Sequence, residues 1–147
     1  MAARTTFALF LLLAVQATSA LAQVFNCVGG TVFIIAHPDD DLLFQAPDLQ
    51  TDVSSGACIT TVILTAGDSG TSGSSYALSR EQGNGAAYAQ MAGVGSSWTE
   101  FTTSFGGQQV LVTTLAGAPH IQRVHFRLPD GNMDGSGCVP SLSDPST

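Results

Sequence analysis

The chain has 147 residues, a formal net charge of −7, 44 % hydrophobic residues and only 10 % charged ones. With eleven acidic against four basic residues, it offers neither the basic surface that a nucleic-acid backbone requires nor a polybasic patch for anionic lipid. Its length supports one domain with a real core and is short for a complete doubly wound sheet.

At the N-terminus, Arg4 precedes the apolar run Phe7 to Val15 and the small-residue stretch ending Ala20-Leu21-Ala22. This reads as a secretory signal peptide cleaved before Gln23, because its apolar core is about half of the roughly 20 residues that span a bilayer. The competing reading is an uncleaved anchor that keeps the chain in the endoplasmic reticulum. The Ala-x-Ala pattern favours cleavage and secretion. Residues 23–135 are expected to form one partial domain and 136–147 an irregular tail, with no transmembrane segment in the mature chain.

Three cysteines on an oxidising route leave one unpaired. Cys27 and Cys58 each precede a predicted strand by a few residues, so in a parallel pair their sulfurs start at one sheet end. They are the predicted disulfide, and Cys138 is left over.

Thr31 to Ala36 is short, β-branched and apolar on successive residues, the pattern of a parallel strand covered on both faces. It runs directly into His37-Pro38-Asp39-Asp40-Asp41. In open α/β sheets the carboxyl ends of strands border the crevice that binds ligands. An imidazole and a carboxylate three residues apart can reach one divalent ion, which makes His37 and Asp40 candidate ligands. Asp39 between them could take a proton from a water acidified by that ion. Asp41 suits the N-cap or first turn of the next helix. The bland alternative is an aspartate-rich turn that only caps that helix, and the residue types alone leave both readings open.

A helix over 41–50 interrupted by Pro47, a turn over 52–56 and a second strand from Thr60 to Thr65 complete a strand–helix–strand unit with parallel strands. The glycine- and serine-rich loop 67–75 leaves the second strand's carboxyl end and lines the same crevice. Alanine-rich 76–94 predicts a helix ending near Gly93 or Gly95. Residues 98–105 and 110–115 flank Gly106-Gly107 as a β-hairpin, and 121–128 forms another strand. The expected fold is a Rossmann-like α/β domain, a mostly parallel sheet flanked by helices, with the hairpin in its C-terminal half. Trp98, His120 and His125 read as structural, and Asp130 as a turn residue.

Two other motifs fail on context. Gly67-Asp68-Ser69-Gly70 matches the tetrapeptide around a chymotrypsin-like nucleophile, but the chain lacks that fold's all-β pattern. A dinucleotide-binding loop needs glycines where this chain has a proline and three aspartates that would repel a pyrophosphate.

The strand followed by His37-Pro38-Asp39-Asp40, the second strand with Ala66-Gly67-Asp68, the helix holding Arg80-Glu81, and Arg127-Leu128-Pro129-Asp130-Gly131 together resemble the LmbE-like N-acetylglucosaminyl deacetylases. That group includes the N-acetylglucosaminylphosphatidylinositol deacetylases. The resemblance implies Zn²⁺, or another divalent metal, held by His37 and Asp40, with Asp39 as general base and Arg80 as a substrate contact. Asp68 is a further candidate for a sugar hydroxyl. The third family ligand is a later histidine, absent from this sequence at that place, so a partial domain is expected. The implied reaction is hydrolysis of the N-acetyl group of an N-acetylglucosamine-containing small molecule, glycan or glycolipid. The acidic balance suits a neutral sugar better than a phosphoinositide. The alternative function is a secreted, catalytically inactive sugar-binding protein that keeps the fold.

Overall fold

The computed structural model describes Cys27, residues 29–69 and residues 74–130. The expected leader, Cys138 and the tail lie outside the described residues. In chain order the elements are β1 (Thr31–Ile35), α1 (Asp40–Phe44), α2 (Ala46–Ser55), β2 (Ile59–Thr65), α3 (Ser74–Met91), β3 (Trp98–Phe105), β4 (Gln108–Leu115) and β5 (Ile121–Leu128). The strands form one sheet in the order β1-β2-β5-β4-β3. β1, β2 and β5 run parallel, and the hairpin β3–β4 continues the sheet antiparallel from β5. The mixed α/β architecture agrees with the sequence expectation.

Alternation along the strands assigns the two faces. Phe33, Ile59, Ile121 and Leu115 point to one side and join Leu49 and Val53 of α2 and Tyr88 and Ala89 of α3 in the main core cluster. Val110, Val112 and Val124 form a smaller cluster on the other side, with Val62, Phe101 and Phe126 packed against it.

β1 departs from expectation. Among the described residues it is an edge strand paired with β2 alone, and Val32 and Ile34 are 60 % and 62 % exposed. Its continuous apolar run reflects two apolar faces, of which Phe33 and Ile35 alone are buried. A run of this kind reports residue type on both faces but not what lies against them.

The segment after β1 also differs from the predicted single helix. The break falls at Gln45, between α1 and α2, and Pro47 sits inside the first turn of α2. Proline is tolerated there because that N–H has no helical acceptor. The helix then runs through residues expected to turn, until Gly56 ends it in the left-handed region at φ 70°, a conformation glycine adopts without a Cβ clash. By contrast, α3 and the hairpin match closely. Gly106 and Gly107, both at positive φ, form the two-residue turn whose twist suits antiparallel strands.

Cys27 and Cys58 are joined in a disulfide with Cα atoms 5.7 Å apart, tying the segment before β1 to the segment before β2. The closed loop spans a sequence separation of 31, for which chain entropy gives about 3–4 kcal/mol. Cys58→Ser should therefore lower the urea midpoint of the oxidised protein by the equivalent of a few kcal/mol, checked by equilibrium unfolding. An unchanged midpoint would show that the crosslink constrains nothing in the unfolded chain. Among the described residues no helix is long and apolar enough to cross a membrane.

Candidate functional site

The backbone leaves β1 at Ile35 and turns sharply through His37-Pro38-Asp39 into α1. The turn is set by hydrogen bonds from the Asp39 and Asp40 amides to the His37 carbonyl, 2.8 and 3.3 Å. Asp40 folds back over it, and its Oδ2 accepts the amides of Ala36 at 3.1 Å and His37 at 3.0 Å. That brings the Asp40 carboxylate to 3.5 Å from His37 Nδ1. Two ligands held about 2.0–2.1 Å from a shared ion at a tetrahedral angle lie roughly 3.3 Å apart. His37 and Asp40 thus stand at the spacing of two of the three protein donors that a catalytic zinc takes.

Asp39 faces the other way, toward α3. Its Oδ1 accepts a 2.5 Å hydrogen bond from Arg80 Nη2, while Arg80 Nη1 donates to the Gly67 carbonyl at 2.6 Å. Arg80 thus clamps the proposed base to the end of β2. Gly67 makes this possible: at φ 60° it lies in the left-handed region, and a Cβ there would meet the Arg80 guanidinium and come within 2.7 Å of Pro38 Cδ. Gly67→Ala should consequently displace Arg80 from Asp39 and disturb the His37 turn. The check is the Arg80 guanidinium signal in ¹H–¹⁵N spectra of the folded variant, where loss of its protected Nη–H is expected and an unchanged signal would refute the clamp.

His37, Asp39, Asp40 and Arg80 open onto one cleft of about 370 Å³, together with Leu43, Phe44, Ser69, Tyr76 and Asp130. Asp68 lies next to it, buried at 6 % exposure, and its neighbour Ser69 is the residue that lines the cleft. Phe44 and Leu43 are 77 % and 67 % exposed, so the cleft has an apolar rim beside its charged floor.

Asp41 takes the second of its two expected positions, the first turn rather than the N-cap. Asp39 occupies that position without a side-chain capping bond, and Asp41 sits in the first turn, fully buried. Its carboxylate accepts Asn84 Nδ2 on both oxygens at 3.1 Å, the Tyr88 hydroxyl at 2.6 Å and the Leu42 amide at 2.9 Å. Burial and the Asp41 charge push the Tyr88 phenol far above its ordinary range, so it stays a donor. Asp130 is more than a turn residue. Its Oδ1 lies 3.4 Å from His37 Nε2, and its Oδ2 accepts the Ser69 amide at 3.3 Å.

Behind the cleft, α3 turns a polar stripe toward the sheet. Glu81 binds Arg127 through two bonds of 2.9 and 2.7 Å and lies 3.4 Å from His125 Nδ1. Arg123 donates to the Glu81 carbonyl and Asn84 Oδ1 and stacks 3.9 Å above the Trp98 ring. His125 is buried and Trp98 packs against the main core cluster. Burial alone would raise the Glu81 carboxyl, but the bonds and charges of His125 and Arg127 outweigh it and bring it down to about 2. Burial holds His125 below its ordinary value.

Both shifts act on stability in the same direction. Glu81's contribution is present above its unperturbed value of 4.5 and is lost as pH falls toward about 2. Neutral His125 contributes above 6.5, and that contribution is lost as pH falls below 6.5. Urea midpoints should thus decline steadily on acidification below pH 6.5. Glu81→Gln should remove the part of the decline below 4.5, on the order of 3 kcal/mol. An identical pH profile in that variant would contradict the assignment.

A family model described as GlcNAc-PI de-N-acetylase (PIG-L) matches residues 32–135. The chain belongs to this family. The match begins inside β1, covers every residue of the cleft and extends past Asp130. No curated protein and no solved structure matches the chain. Membership in the PIG-L family makes this a deacetylase-like hydrolase fold of a generally metal-dependent kind. Among the described residues, however, no group of three His, Cys, Asp or Glu side chains is gathered that could hold a metal ion.

Proposed function

We propose that this chain carries the zinc-dependent site of an N-deacetylase acting on an N-acetylglucosamine-containing substrate. The observation that supports it most is the 3.5 Å approach of His37 Nδ1 to Asp40 Oδ2, beside an aspartate anchored by Arg80, inside a PIG-L family match. His37 and Asp40 would hold the ion. When bound, a zinc ion supplies Lewis-acid polarisation of a carbonyl and lowers the pKa of water.

The chain's own residues do the rest. Asp39, lining the cleft, accepts the proton of the water that adds to the acetyl carbonyl carbon; that proton passes to the nitrogen as the carbon–nitrogen bond breaks, giving acetate and the amine. Arg80 fixes the Asp39 carboxylate at the cleft wall through its bonds to Asp39 Oδ1 and the Gly67 carbonyl. The exposed Phe44 and Leu43 give the sugar an apolar wall, and the acidic chain favours a neutral hexosamine, free or in a glycan, over an anionic glycolipid. The disulfide fits a secreted protein.

Zinc content and affinity of the oxidised protein, compared with His37→Ala, test this reading alongside acetate release from N-acetylglucosamine substrates. One ion per chain, dependent on His37, with acetate release is expected. His37-independent binding, or no binding, would overturn it.

A second reading has one observation behind it. Because His37 and Asp40 are not joined by a third ligating side chain among the described residues, the protein could bind sugar without turning it over.

A further inference from the structure

We infer that Asp130 is a positioning residue for His37. It accepts the Nε2 proton and so leaves the Nδ1 lone pair bare beside Asp40. This rests on the metal reading above for its consequence, though not for its geometry.

The two ring nitrogens of His37 face different carboxylates. Nδ1 lies 3.5 Å from Asp40 Oδ2 and Nε2 lies 3.4 Å from Asp130 Oδ1. A neutral imidazole carries one proton, and the two acceptors are not equivalent. Asp40 Oδ2 already takes the amides of Ala36 and His37 and meets Nδ1 only at ion-pair distance. Among the described residues, it is the Asp130 contact that forms a hydrogen bond with the ring. The proton therefore belongs on Nε2, and Nδ1 presents a lone pair on the side where Asp40 waits. A carboxylate behind a histidine in this way fixes its tautomer and ring plane and raises its basicity as a ligand.

The backbone is shaped to bring Asp130 there. The pairing of β2 with β5 shifts register between Ile63 and Thr65, so that Thr65 pairs with Leu128 after Ile63 has paired with His125. Such a bulge at a strand end re-aims the residues beyond it. Arg127, inside the bulge, sits at φ 51°, a left-handed conformation that a non-glycine residue holds only when its surroundings enforce it. Glu81 supplies the enforcement with its paired bonds to the Arg127 guanidinium. The Ala66 amide then ties to the Leu128 carbonyl at 2.8 Å. Two residues later Asp130 reaches across to His37, and its second oxygen is held by the Ser69 amide.

The decisive experiment reads the ring itself in the metal-free full chain. Long-range ¹H–¹⁵N correlation at a pH where the imidazole is neutral should show His37 as the Nε2–H tautomer in wild type. Asp130→Ala should turn it into a mixture or the Nδ1–H form. Asp130→Asn, whose side-chain carbonyl can still accept, should keep the tautomer. Zinc competition against a chelator should then show 10- to 100-fold weaker binding for Asp130→Ala, with a smaller loss for Asp130→Asn. An Nδ1–H ring in wild type, or a ring unchanged in Asp130→Ala, overturns the inference whether or not zinc binds. If the tautomer responds as stated but zinc affinity is independent of His37, the metal reading fails and the positioning of the ring by Asp130 stands.

Discussion

Asp39→Asn should keep zinc binding and lose deacetylation by roughly 10²- to 10⁴-fold, the range that a positioned general base contributes. The substitution is nearly isosteric, and the amide oxygen can still accept from Arg80 Nη2, which now bonds Asp39 Oδ1 at 2.5 Å. The neighbouring Asp40 turn depends on backbone amides rather than on Asp39's side chain. The capacity to take a proton is removed, together with the charge that pairs with Arg80. A catalytically inactive sugar-binding protein would respond differently: it would bind glycan equally well before and after the change and release no acetate in either form. Turnover measured with zinc occupancy and glycan affinity therefore separates the two functions. Wild-type turnover by Asp39→Asn would remove Asp39 from the chemistry, and loss of zinc would mean that the residue is a ligand instead.

What was legible in the sequence follows the range of the forces involved. β2, the hairpin and β5 could be read because alternation and a Gly-Gly turn are local signals. The bond between Cys27 and Cys58 followed from two local facts, that each precedes a strand and that the strands run parallel. The nearness of His37 and Asp40 was legible because it is set within one turn of chain. The buried partners of Asp41 and the reach of Asp130 to His37 were not legible, because those partners are distant in sequence. Asn84 lies 43 residues from Asp41, and Asp130 lies 93 from His37.

The same limit hid the inner face of α3. Glu81, Asn84 and Tyr88 recur at helical spacing and are all buried, yet their types suggest a solvated face. A helix buried through polar groups leaves no hydrophobic periodicity to detect. The one available hint was that the spacing of Glu81, Asn84 and Tyr88 is the spacing of a buried stripe.

Asp41→Ala should be the most destabilising single change near the site, costing about 3–5 kcal/mol, the scale expected when one member of a buried charged network is deleted. The carboxylate is 0 % exposed and takes hydrogen bonds from α3 through Asn84 and Tyr88, while Tyr88 also meets the Thr61 hydroxyl of β2 at 2.6 Å. Removing it leaves an amide and a phenol buried without their acceptor, each with a desolvation penalty. Tyr88→Phe removes one donor and leaves the carboxylate its Asn84 and Leu42 bonds, so it should cost only about 1–2 kcal/mol. The double variant should fall well short of the sum, because the phenol's penalty disappears with its hydroxyl. Urea unfolding of the four proteins gives this cycle directly, and additive losses would mean that the two groups do not act together. The consequence reaches the cleft: Asp40 and Asp41 open the same short helix, so the network that buries Asp41 also fixes where Asp40 stands relative to His37. Asp41→Ala should therefore weaken zinc binding even under conditions where the chain remains folded, although Asp41 itself faces away from the proposed ion.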